Sequence, residues 1–254
     1  MQSKCTVVIP AAGKGTRFAP FTDIVAKELV PIMQYPAIEF IAREYENADV
    51  SNAVYVICQK KEIILEYVKK YHSDRVKNYS VYQEKALGLG HAVLQAASHV
   101  KEDFFGVMLP DDIIFAHVPV LQQLKVISTQ YNASVIAIKK VPENLVSCYG
   151  IVSLQDQKLH NVFTINDIVE KPTKAAAPSC YAIVGRYILH RDIFDCLENV
   201  QPGAKGEYQL TDAIQMLLLK GYPIFAMLFD GVHFDVGTPD GWLKAVNYYA
   251  HHEK

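Results

Sequence analysis

The first half of the chain alternates short apolar runs with longer amphipathic segments. The apolar runs are rich in β-branched residues, which is typical of strands buried on both faces of a parallel sheet. Such strands are predicted at residues 5–10, 53–58, 80–83 and 104–109. Helical spacing of the apolar residues predicts helices at 37–47, 60–71 and 90–99. The alternation predicts βαβ units, which bind their ligands at the carboxyl ends of the strands.

The second half is less regular but contains the same kinds of element. Strands are predicted at 134–140, 150–154, 162–170, 181–189, 224–229 and 232–235. Helices are predicted at 191–197, 210–220 and 240–251. A length of 254 residues allows one large α/β domain or two closely packed ones. Because no linker or internal repeat interrupts the chain, we expect residues 1–254 to form a single domain.

Composition and charge narrow the range of partners. A net charge of −2 gives no electrostatic reason to expect nucleic acid or a membrane as a partner. No apolar run approaches the length of a membrane span. The five cysteines lack C-x-x-C spacing, which argues against a zinc site. Their odd number, without a secretory signal, favours a reducing cytoplasm.

A glycine-rich loop after the first predicted strand is the most informative segment of the chain. Gly13 and Gly15 allow backbone N–H groups to approach a ligand closely, and Arg17 and Lys27 add positive charge. This combination suits a polyphosphate ligand. A plain tight turn is the alternative interpretation.

Two familiar phosphate-binding motifs do not fit this loop. A Walker A motif needs Ser or Thr after its Gly-Lys pair, and a further glycine before it, but Gly15 and Val8 occupy these positions. A dinucleotide fingerprint needs a third glycine, and Phe18 stands there. The loop is therefore predicted to bind a phosphate chain in another way.

A candidate base-binding segment begins with Gly88 and Gly90, at the start of a predicted helix. Glycine at this point allows a planar ring to lie against the backbone and leaves helix N–H groups free. Gln83 can offer both a donor and an acceptor to the edge of a base. The alternative is a flexible surface turn.

Acidic residues follow two of the predicted strands. The run 104–109 leads to Asp111 and Asp112, and the run 232–235 ends at Asp235. Mg²⁺ is typically bound by one or two carboxylates together with waters and substrate phosphates. Since successive residues of an extended segment point in opposite directions, we expect only Asp111 of the pair to face the site. Asp111 and Asp235 are the predicted metal ligands, with a helix cap or an Asx-turn as the alternative.

Glu170, Lys171 and Pro172 end another predicted strand. A carboxylate can accept hydrogen bonds from two sugar hydroxyls, and a neighbouring lysine can bind a phosphate. Both side chains can reach one ligand only if the chain bends between them, which Pro172 favours. A solvated surface pair is the alternative.

Together these segments resemble the sugar-1-phosphate nucleotidylyltransferase family. The motifs that carry the resemblance lie in order along nearly the whole chain: Ala12-Gly-Lys-Gly-Thr-Arg17 with Lys27-Glu28, Leu109-Pro-Asp111 and Glu170-Lys-Pro172. Within the family, the chain is most similar to the uridylyltransferase branch through Gly88-Leu-Gly-His-Ala-Val93, Tyr149-Gly-Ile-Val152, Ala182-Ile-Val-Gly-Arg-Tyr187 and Glu207-Tyr-Gln-Leu-Thr-Asp-Ala-Ile214.

The resemblance implies a Rossmann-like nucleotidyltransferase fold, with a mixed, mostly parallel central sheet flanked by helices. It implies a nucleotide-binding half at about 1–130 and a sugar-phosphate-binding half at about 131–254. The implied nucleotide-binding residues are Ala11, Ala12, Gly13, Gly15, Gln83 and Gly88. The implied sugar-phosphate-binding residues are Gly150, Glu170, Lys171 and Gly185. The implied catalytic residues are Arg17, Lys27 and Lys171.

The implied reaction transfers a uridylyl group from UTP to glucose 1-phosphate, with Mg²⁺ as cofactor and pyrophosphate as the second product. The resemblance also implies a homo-oligomer, either a dimer or a tetramer. Three alternatives stay open. They are a relative that uses dTTP, CTP or another sugar 1-phosphate, a glycosyltransferase of similar fold with Asp111 and Asp112 as its metal pair, and a non-catalytic sugar-nucleotide sensor.

The chain departs from the family pattern at a few places. Ala26 stands where proline is usual, and Asp23 stands where close relatives often have lysine. The segment 71–80 lacks a helical insertion that is common in the uridylyltransferase branch, and the C-terminus is short. Because these last two regions often help subunits to pack, they bear on the oligomer more than on the chemistry.

Overall fold

The computed structural model of the protein describes residues 5–72, 75–203 and 206–252. The helices are α1 (Ala37–Asn47), α2 (Glu62–Tyr71), α3 (Leu89–Gln95), α4 (Val120–Tyr131), α5 (Ile193–Asn199), α6 (Leu210–Leu219) and α7 (Pro239–His252). Within the described ranges, no helix is both long and apolar enough to cross a membrane.

The strands are β1 (Thr6–Pro10), β2 (Pro31–Ile32), β3 (Tyr35–Pro36), β4 (Asn52–Ile57), β5 (Lys77–Tyr82), β6 (Phe104–Met108), β7 (Asp112–Phe115), β8 (Ser134–Lys140), β9 (Gly150–Leu159), β10 (Val162–Glu170), β11 (Tyr181–His190), β12 (Ile224–Leu228) and β13 (Val232–Asp235). The predicted strands are present with shifted ends, since β5 begins earlier and β9 ends later than the apolar pattern indicates.

The central sheet has the strand order β5-β4-β1-β6-β11-β8-β12-β10-β9. Strands β10 and β11 run against the others, which all point in one direction. The prediction of a mixed, mostly parallel sheet is therefore confirmed. The strands of the first half of the chain occupy one side of the sheet, those of the second half occupy the other, and β6 pairs with β11 at the seam.

Helices cover both faces of the sheet, because successive side chains of a buried strand point to opposite sides. In β1, Val7 and Ile9 join a core with residues of α1, α2 and α4, whereas Val8 joins a core with residues of α3, α5 and α6. All three side chains are fully buried. The loops at the carboxyl end of β1 are thereby anchored at the centre of the molecule.

The sequence-based prediction lacks four of these elements: the two-residue strands β2 and β3, helix α4 and strand β7. Helix α4 covers one face of the sheet, although the sequence analysis predicted no helix between residues 115 and 134. Strand β7 pairs with β13, and Asp112 lies opposite Asp235 in this register. The pairing partner of β7 is far away along the chain, so no local pattern indicates it. Residues 73 and 74 of the shortened 71–80 segment lie outside the described residues.

A buried ion pair braces the sheet below the carboxyl end of β6. Arg186 in β11 is fully buried and donates to the carboxylate of Glu44 in α1 at 2.7 and 3.0 Å. Its guanidinium also donates to the carbonyl oxygens of Leu109 and Gly185 at 3.2 and 3.0 Å. Glu44 accepts a further bond from the Leu121 amide at the start of α4. One pair of side chains therefore ties four elements together.

We predict that replacing Glu44 with Leu lowers the free energy of unfolding by about 3–5 kcal/mol, because it leaves a buried guanidinium without a counter-charge. The double variant Glu44→Leu/Arg186→Met should lose less free energy of unfolding than the two single variants lose in sum. Urea unfolding measures each value. As a control, Lys244→Ala removes the surface pair with Asp240 and should cost less than about 1 kcal/mol. A Glu44 variant as stable as this control would contradict the prediction.

Candidate active site

The glycine-rich loop folds back on itself directly after β1. Gly15 has a φ of 68°, in the left-handed region that favours glycine, and its carbonyl oxygen accepts a 2.7 Å bond from the Thr22 hydroxyl. This turn brings Lys27 beside Gly13, since the Lys27 Nζ lies 3.9 Å from the point where a Cβ on Gly13 would sit. The predicted proximity of the glycines and Lys27 is present in the structure.

Ala26 keeps the backbone geometry that proline would impose just before Lys27. Its φ is −57°, within the range to which a proline ring restricts this angle. The loop therefore reaches the same entry into the short turn at Lys27–Leu29 without the ring. Asp23, the second departure, is exposed in a short turn at Phe21–Asp23.

Two cations of this loop meet the two predicted metal-binding carboxylates. The Lys27 Nζ lies 2.5 Å from the Asp111 Oδ2, and both side chains are largely buried. The Arg17 guanidinium donates to the two carboxylate oxygens of Asp235 at 2.8 and 3.3 Å and lies 3.6 Å from the Asp111 Oδ2. The structure thus brings all four side chains into one cluster.

The pKa values in the cluster follow from its burial and its charges. Burial raises the pKa of Asp235 above its usual value, and the negative charges of Asp112 and Asp111 raise it further, against the opposing effect of Arg17. Burial lowers the pKa of Lys27, but attraction to the carboxylates of Asp111 and Glu28 outweighs this effect. The pKa of Lys27 therefore lies above its usual value. Lys27 is therefore a fixed positive charge at neutral pH.

The cluster fits a divalent cation that also binds phosphate. A Cβ on Gly237 would come within 2.8 Å of the Asp111 Oδ2 and 3.0 Å of the Asp235 Oδ1, so the two carboxylates converge on the space above this glycine. Among the described residues, no group of three acidic, histidine or cysteine side chains could hold a metal ion. Two carboxylates leave room for the waters and phosphate oxygens that complete a Mg²⁺ shell.

Asp112 faces away from this cluster, as the alternation of an extended segment predicts. Its Oδ1 lies 2.5 Å from the His233 Nε2, and its Oδ2 accepts a 3.0 Å bond from the Gly185 amide. Burial alone would raise its pKa, but His233, Arg186 and Lys139 outweigh this effect and lower the pKa to about 2. Asp112 is therefore an ionised structural anchor beside the cluster.

Gln83 and Gly88 lie together at the predicted base-binding side. Gln83 is buried, and its Nε2 donates to the Gly88 carbonyl oxygen at 3.1 Å and lies 2.9 Å from the His91 Nδ1. Gly88 has a φ of 99°, and a Cβ here would come within 2.8 Å of the Tyr208 carbonyl oxygen. A cavity of about 970 Å³ opens beside Gln83, at the carboxyl ends of β4 and β5.

The predicted bend between Glu170 and Lys171 is present. Lys171 has a φ of 42°, an uncommon value for a residue with a side chain, and its Nζ returns to within 3.1 Å of the Glu170 Oε1. The Glu170 Oε2 accepts a 3.0 Å bond from Thr211 and lies 3.2 Å from the point where a Cβ on Gly150 would sit. Gly150, Glu170 and Lys171 therefore form a second cluster.

Tyr149 lies between this second cluster and Lys139. Its carbonyl oxygen accepts a 3.0 Å bond from the Lys171 amide, and its ring lies 5.0 Å from the Lys139 Nζ. Lys139 in turn lies 2.8 Å from the Nδ1 of His233. Burial raises the pKa of Tyr149. The negative charges of Asp235 and Asp112 raise it further, because they disfavour ionisation of the hydroxyl group.

Gly185 packs against Asp112 and Leu109. A Cβ on Gly185 would come within 2.5 Å of the Leu109 Cβ, and its amide is already bound by Asp112. Close packing of β11 against the end of β6 therefore requires a glycine here. Its implied contact with a sugar phosphate stays a prediction.

Several polar residues that the fold brings to the glycine-rich loop and to these clusters were not predicted from the sequence: Lys61, Lys139, His233 and Thr211. Each lies within an element whose sequence pattern indicates only a strand end or a helix. Their contacts join residues from 33 to 121 positions apart. Thr211 does lie in the motif Glu207-Tyr-Gln-Leu-Thr-Asp-Ala-Ile214, but the motif gave it no role. For the other three residues, no local motif indicates the partners.

Comparison with known proteins places the chain in a family. A family model for nucleotidyl transferases matches residues 6–252. A UTP–glucose-1-phosphate uridylyltransferase of Staphylococcus haemolyticus (strain JCSC1435) is 36% identical over 264 residues, which cover 96% of this chain and 91% of the relative.

Solved structures agree with this match. A UDP-glucose pyrophosphorylase complexed with UDP-glucose has a TM-score of 0.92 and 33% identity, and the match covers 97% of this chain and 98% of that chain. A UTP-bound UGPase from Acinetobacter baumannii has a TM-score of 0.84 and 35% identity, with 98% of this chain and 95% of that chain covered. Since these matches run through the whole sheet and both clusters, the chain belongs to the nucleotidyl transferase family, as its motifs predicted.

Proposed function

We propose that this protein transfers a uridylyl group from UTP to glucose 1-phosphate and releases pyrophosphate. The observation that carries the proposal is the meeting of Arg17 and Lys27 with Asp111 and Asp235. Two cations that face two convergent carboxylates suit a substrate that brings both a phosphate chain and a divalent cation. The names of the matched relatives support UTP and glucose 1-phosphate as the substrate pair.

Binding of the nucleotide exchanges the partners inside the cluster. Arg17 and Lys27 leave the carboxylates and neutralise phosphate oxygens of the triphosphate. Asp111 and Asp235 are then free to hold Mg²⁺, which when bound supplies charge neutralisation at the reacting phosphates. The base is held by Gln83 and the loop backbone, beside the cavity at β4 and β5.

The reaction requires no general base, because the attacking phosphate oxygen of glucose 1-phosphate is already an anion. This oxygen forms a bond to the α-phosphorus of UTP, and the bond from that phosphorus to the bridging oxygen of the leaving pyrophosphate breaks. Lys171 draws the sugar phosphate toward the triphosphate against their mutual repulsion, while Glu170 accepts hydrogen bonds from the sugar. The contribution of the protein is positioning and charge neutralisation.

The two halves of the chain divide the substrates between them in this proposal. Residues of about 1–130 hold the nucleotide, and residues of about 131–254 hold the sugar phosphate. The arrangement of the sheet supports this division, because β1, β4, β5 and β6 lie on one side and the later strands on the other. Asp111 comes from the first half and Asp235 from the second, so the reacting phosphates meet at the seam.

We also propose a cytoplasmic location and a homo-oligomer, either a dimer or a tetramer. All five cysteines are free thiols, which suits a reducing compartment. The oligomeric state rests on the family resemblance. Light scattering of the purified protein measures it directly.

We predict that UTP and glucose 1-phosphate are the best pair in a pyrophosphate-release assay with Mg²⁺. The panel contains UTP, dTTP, CTP and ATP, each with several sugar 1-phosphates, and is repeated without a divalent cation. A clear preference for dTTP would move the protein to the thymidylyltransferase branch. No pyrophosphate from any pair would refute the enzymatic function.

Lys171→Ala should lower kcat/KM by roughly 30- to 1,000-fold, equivalent to about 2–4 kcal/mol, because it removes one charge-stabilising donor. Lys174→Ala is the matched control, since Lys174 pairs with Glu143 at the surface and both side chains are about 70% exposed. Steady-state kinetics compares the two variants. Turnover close to wild type in Lys171→Ala would contradict the assigned role.

Asp235→Asn should lower kcat/KM by about 100-fold or more, because a metal ligand is lost. The unliganded variant should nevertheless be at least as stable as wild type at pH 7. The folded-state pKa of Asp235 is raised, so its ionisation costs stability as the pH rises through that value, and asparagine avoids this cost. The difference should vanish below about pH 4, where the carboxyl group is protonated in both states.

Steady-state kinetics measures the loss of kcat/KM, and thermal unfolding as a function of pH measures the difference in stability. Thermal unfolding with UTP, in the presence and absence of Mg²⁺, tests the metal site. Mg²⁺ should raise the Tm of the wild-type UTP complex more than that of the Asp235→Asn complex. The matched control is Asp230→Asn, which changes an exposed carboxylate just before β13. If Mg²⁺ raised the Tm of the wild-type and Asp235→Asn complexes equally, Asp235 would not be a metal ligand.

A further inference from the structure

Lys61 places a buried positive charge directly behind the glycine-rich loop. Its ammonium donates to the carbonyl oxygens of Ala11 at 2.8 Å and Gly13 at 2.7 Å. It also contacts both carboxylate oxygens of Glu28, at 2.7 and 2.9 Å. Lys61 is only 7% exposed and Glu28 is fully buried. Burial of such a pair costs desolvation free energy, and neither side chain has a part in the chemistry proposed above.

The local fold explains how this lysine reaches the loop. The Ala11 amide donates to the Val56 carbonyl oxygen, so the loop continues the pairing of β1 with β4 for one residue. After β4 the chain makes a short 3₁₀ turn at Gln59–Lys61, and the Lys61 amide bonds to the Cys58 carbonyl oxygen. This turn directs Lys61 under the loop and leaves its neighbour Lys60 exposed.

The bonds to Ala11 and Gly13 fix the orientation of two peptide units. In a planar trans peptide the C=O and the following N–H point in opposite directions. The N–H groups of Ala12 and Lys14 therefore point away from Lys61, toward the open side of the loop. Neither N–H group donates a hydrogen bond to any described residue. Ala12 is nonetheless buried, and a buried donor without a partner is costly unless a ligand satisfies it.

Glu28 connects the Lys61 ammonium to the backbone at Lys27. It follows Lys27 directly in the short turn at Lys27–Leu29. By holding Glu28, Lys61 fixes the backbone that presents the Lys27 ammonium toward Gly13 and Asp111. The buried charge of Lys61 therefore determines the orientation of the Ala12 and Lys14 N–H groups and the position of the Lys27 ammonium.

We infer that Lys61 is a positioning residue for the nucleoside triphosphate, an inference that rests on the proposed function. It orients the N–H groups of Ala12 and Lys14 toward the nucleotide and, through Glu28, sets the position of Lys27. Lys61 touches no substrate itself. Its loss therefore weakens binding of the triphosphate and leaves binding of the sugar phosphate, on the far side of the seam, unchanged.

The test compares wild type with Lys61→Met and with the double variant Glu28→Gln/Lys61→Met. The single variant leaves the Glu28 carboxylate buried without a counter-charge, which threatens folding, whereas the double variant removes both charges. Lys69→Met is the matched control, because it removes an exposed lysine of α2 that does not line the cavity beside Gln83. Circular dichroism and urea unfolding verify that each variant is folded. Calorimetry with UTP and Mg²⁺ and steady-state kinetics with each substrate varied give the readouts.

We expect the folded double variant to bind UTP about 10- to 100-fold more weakly, which corresponds to the loss of two modest hydrogen bonds. Its KM for glucose 1-phosphate should stay within about twofold of wild type, and Lys69→Met should match wild type throughout. UTP affinity equal to wild type in the folded double variant would overturn the inference. An equal loss for both substrates would also overturn it, since that marks a general loss of structure.

The same experiment separates the inference from the proposed function. Wild-type protein that binds no nucleoside triphosphate would refute the proposed function, and the inference with it. Wild-type protein that binds UTP while the double variant binds it equally well refutes the inference alone.

Discussion

The mutual neutralisation of two loop cations and two strand-end carboxylates is the interaction on which the site depends. Asp111 and Asp235 come from opposite halves of the chain. Burial raises the pKa of Asp235, and the negative charges of Asp112 and Asp111 raise it further. Arg17 and Lys27 offset that repulsion while the site has no ligand. In the proposed reaction, a phosphate chain with its divalent cation would bring the complementary charges, so that each group would exchange one partner for another.

Two buried cations support this cluster in the same way. Arg186 binds the carbonyl oxygens of Leu109 and Gly185, and its counter-charge is Glu44. Lys61 binds the carbonyl oxygens of two loop residues and has Glu28 as its counter-charge. In each case a glutamate from a neighbouring element compensates a charge that fixes backbone direction at a strand end. Such pairs add little net stability, and the specificity of backbone orientation is the physical reason we assign to them.

Particular residues show how far sequence reasoning reached. The alternation of an extended segment correctly indicated that Asp111, not Asp112, faces the cluster, and the bend expected near Pro172 is present at Lys171. Gly185 shows what a motif leaves out. Its motif implied a contact with the sugar phosphate, which stays a prediction, and gave no sign that glycine is also required for close packing against the end of β6. Helix α4 and strand β7 were absent from the prediction, because β7 is defined by pairing with β13 across the chain.

The sequence by itself determined the buried strands, most of the helices, the turn at Gly15 and the family. These features depend on periodicity, on the conformational freedom of glycine and on motifs that span a few residues. Only the tertiary structure decided which charges meet. Arg17 and Asp235 are 218 positions apart, and Lys61 lies 48 positions from the Gly13 carbonyl oxygen that it binds. Contacts of this kind arise from sheet order and packing. They cannot be predicted from the sequence pattern, because a long-range ion pair produces no periodicity along the chain.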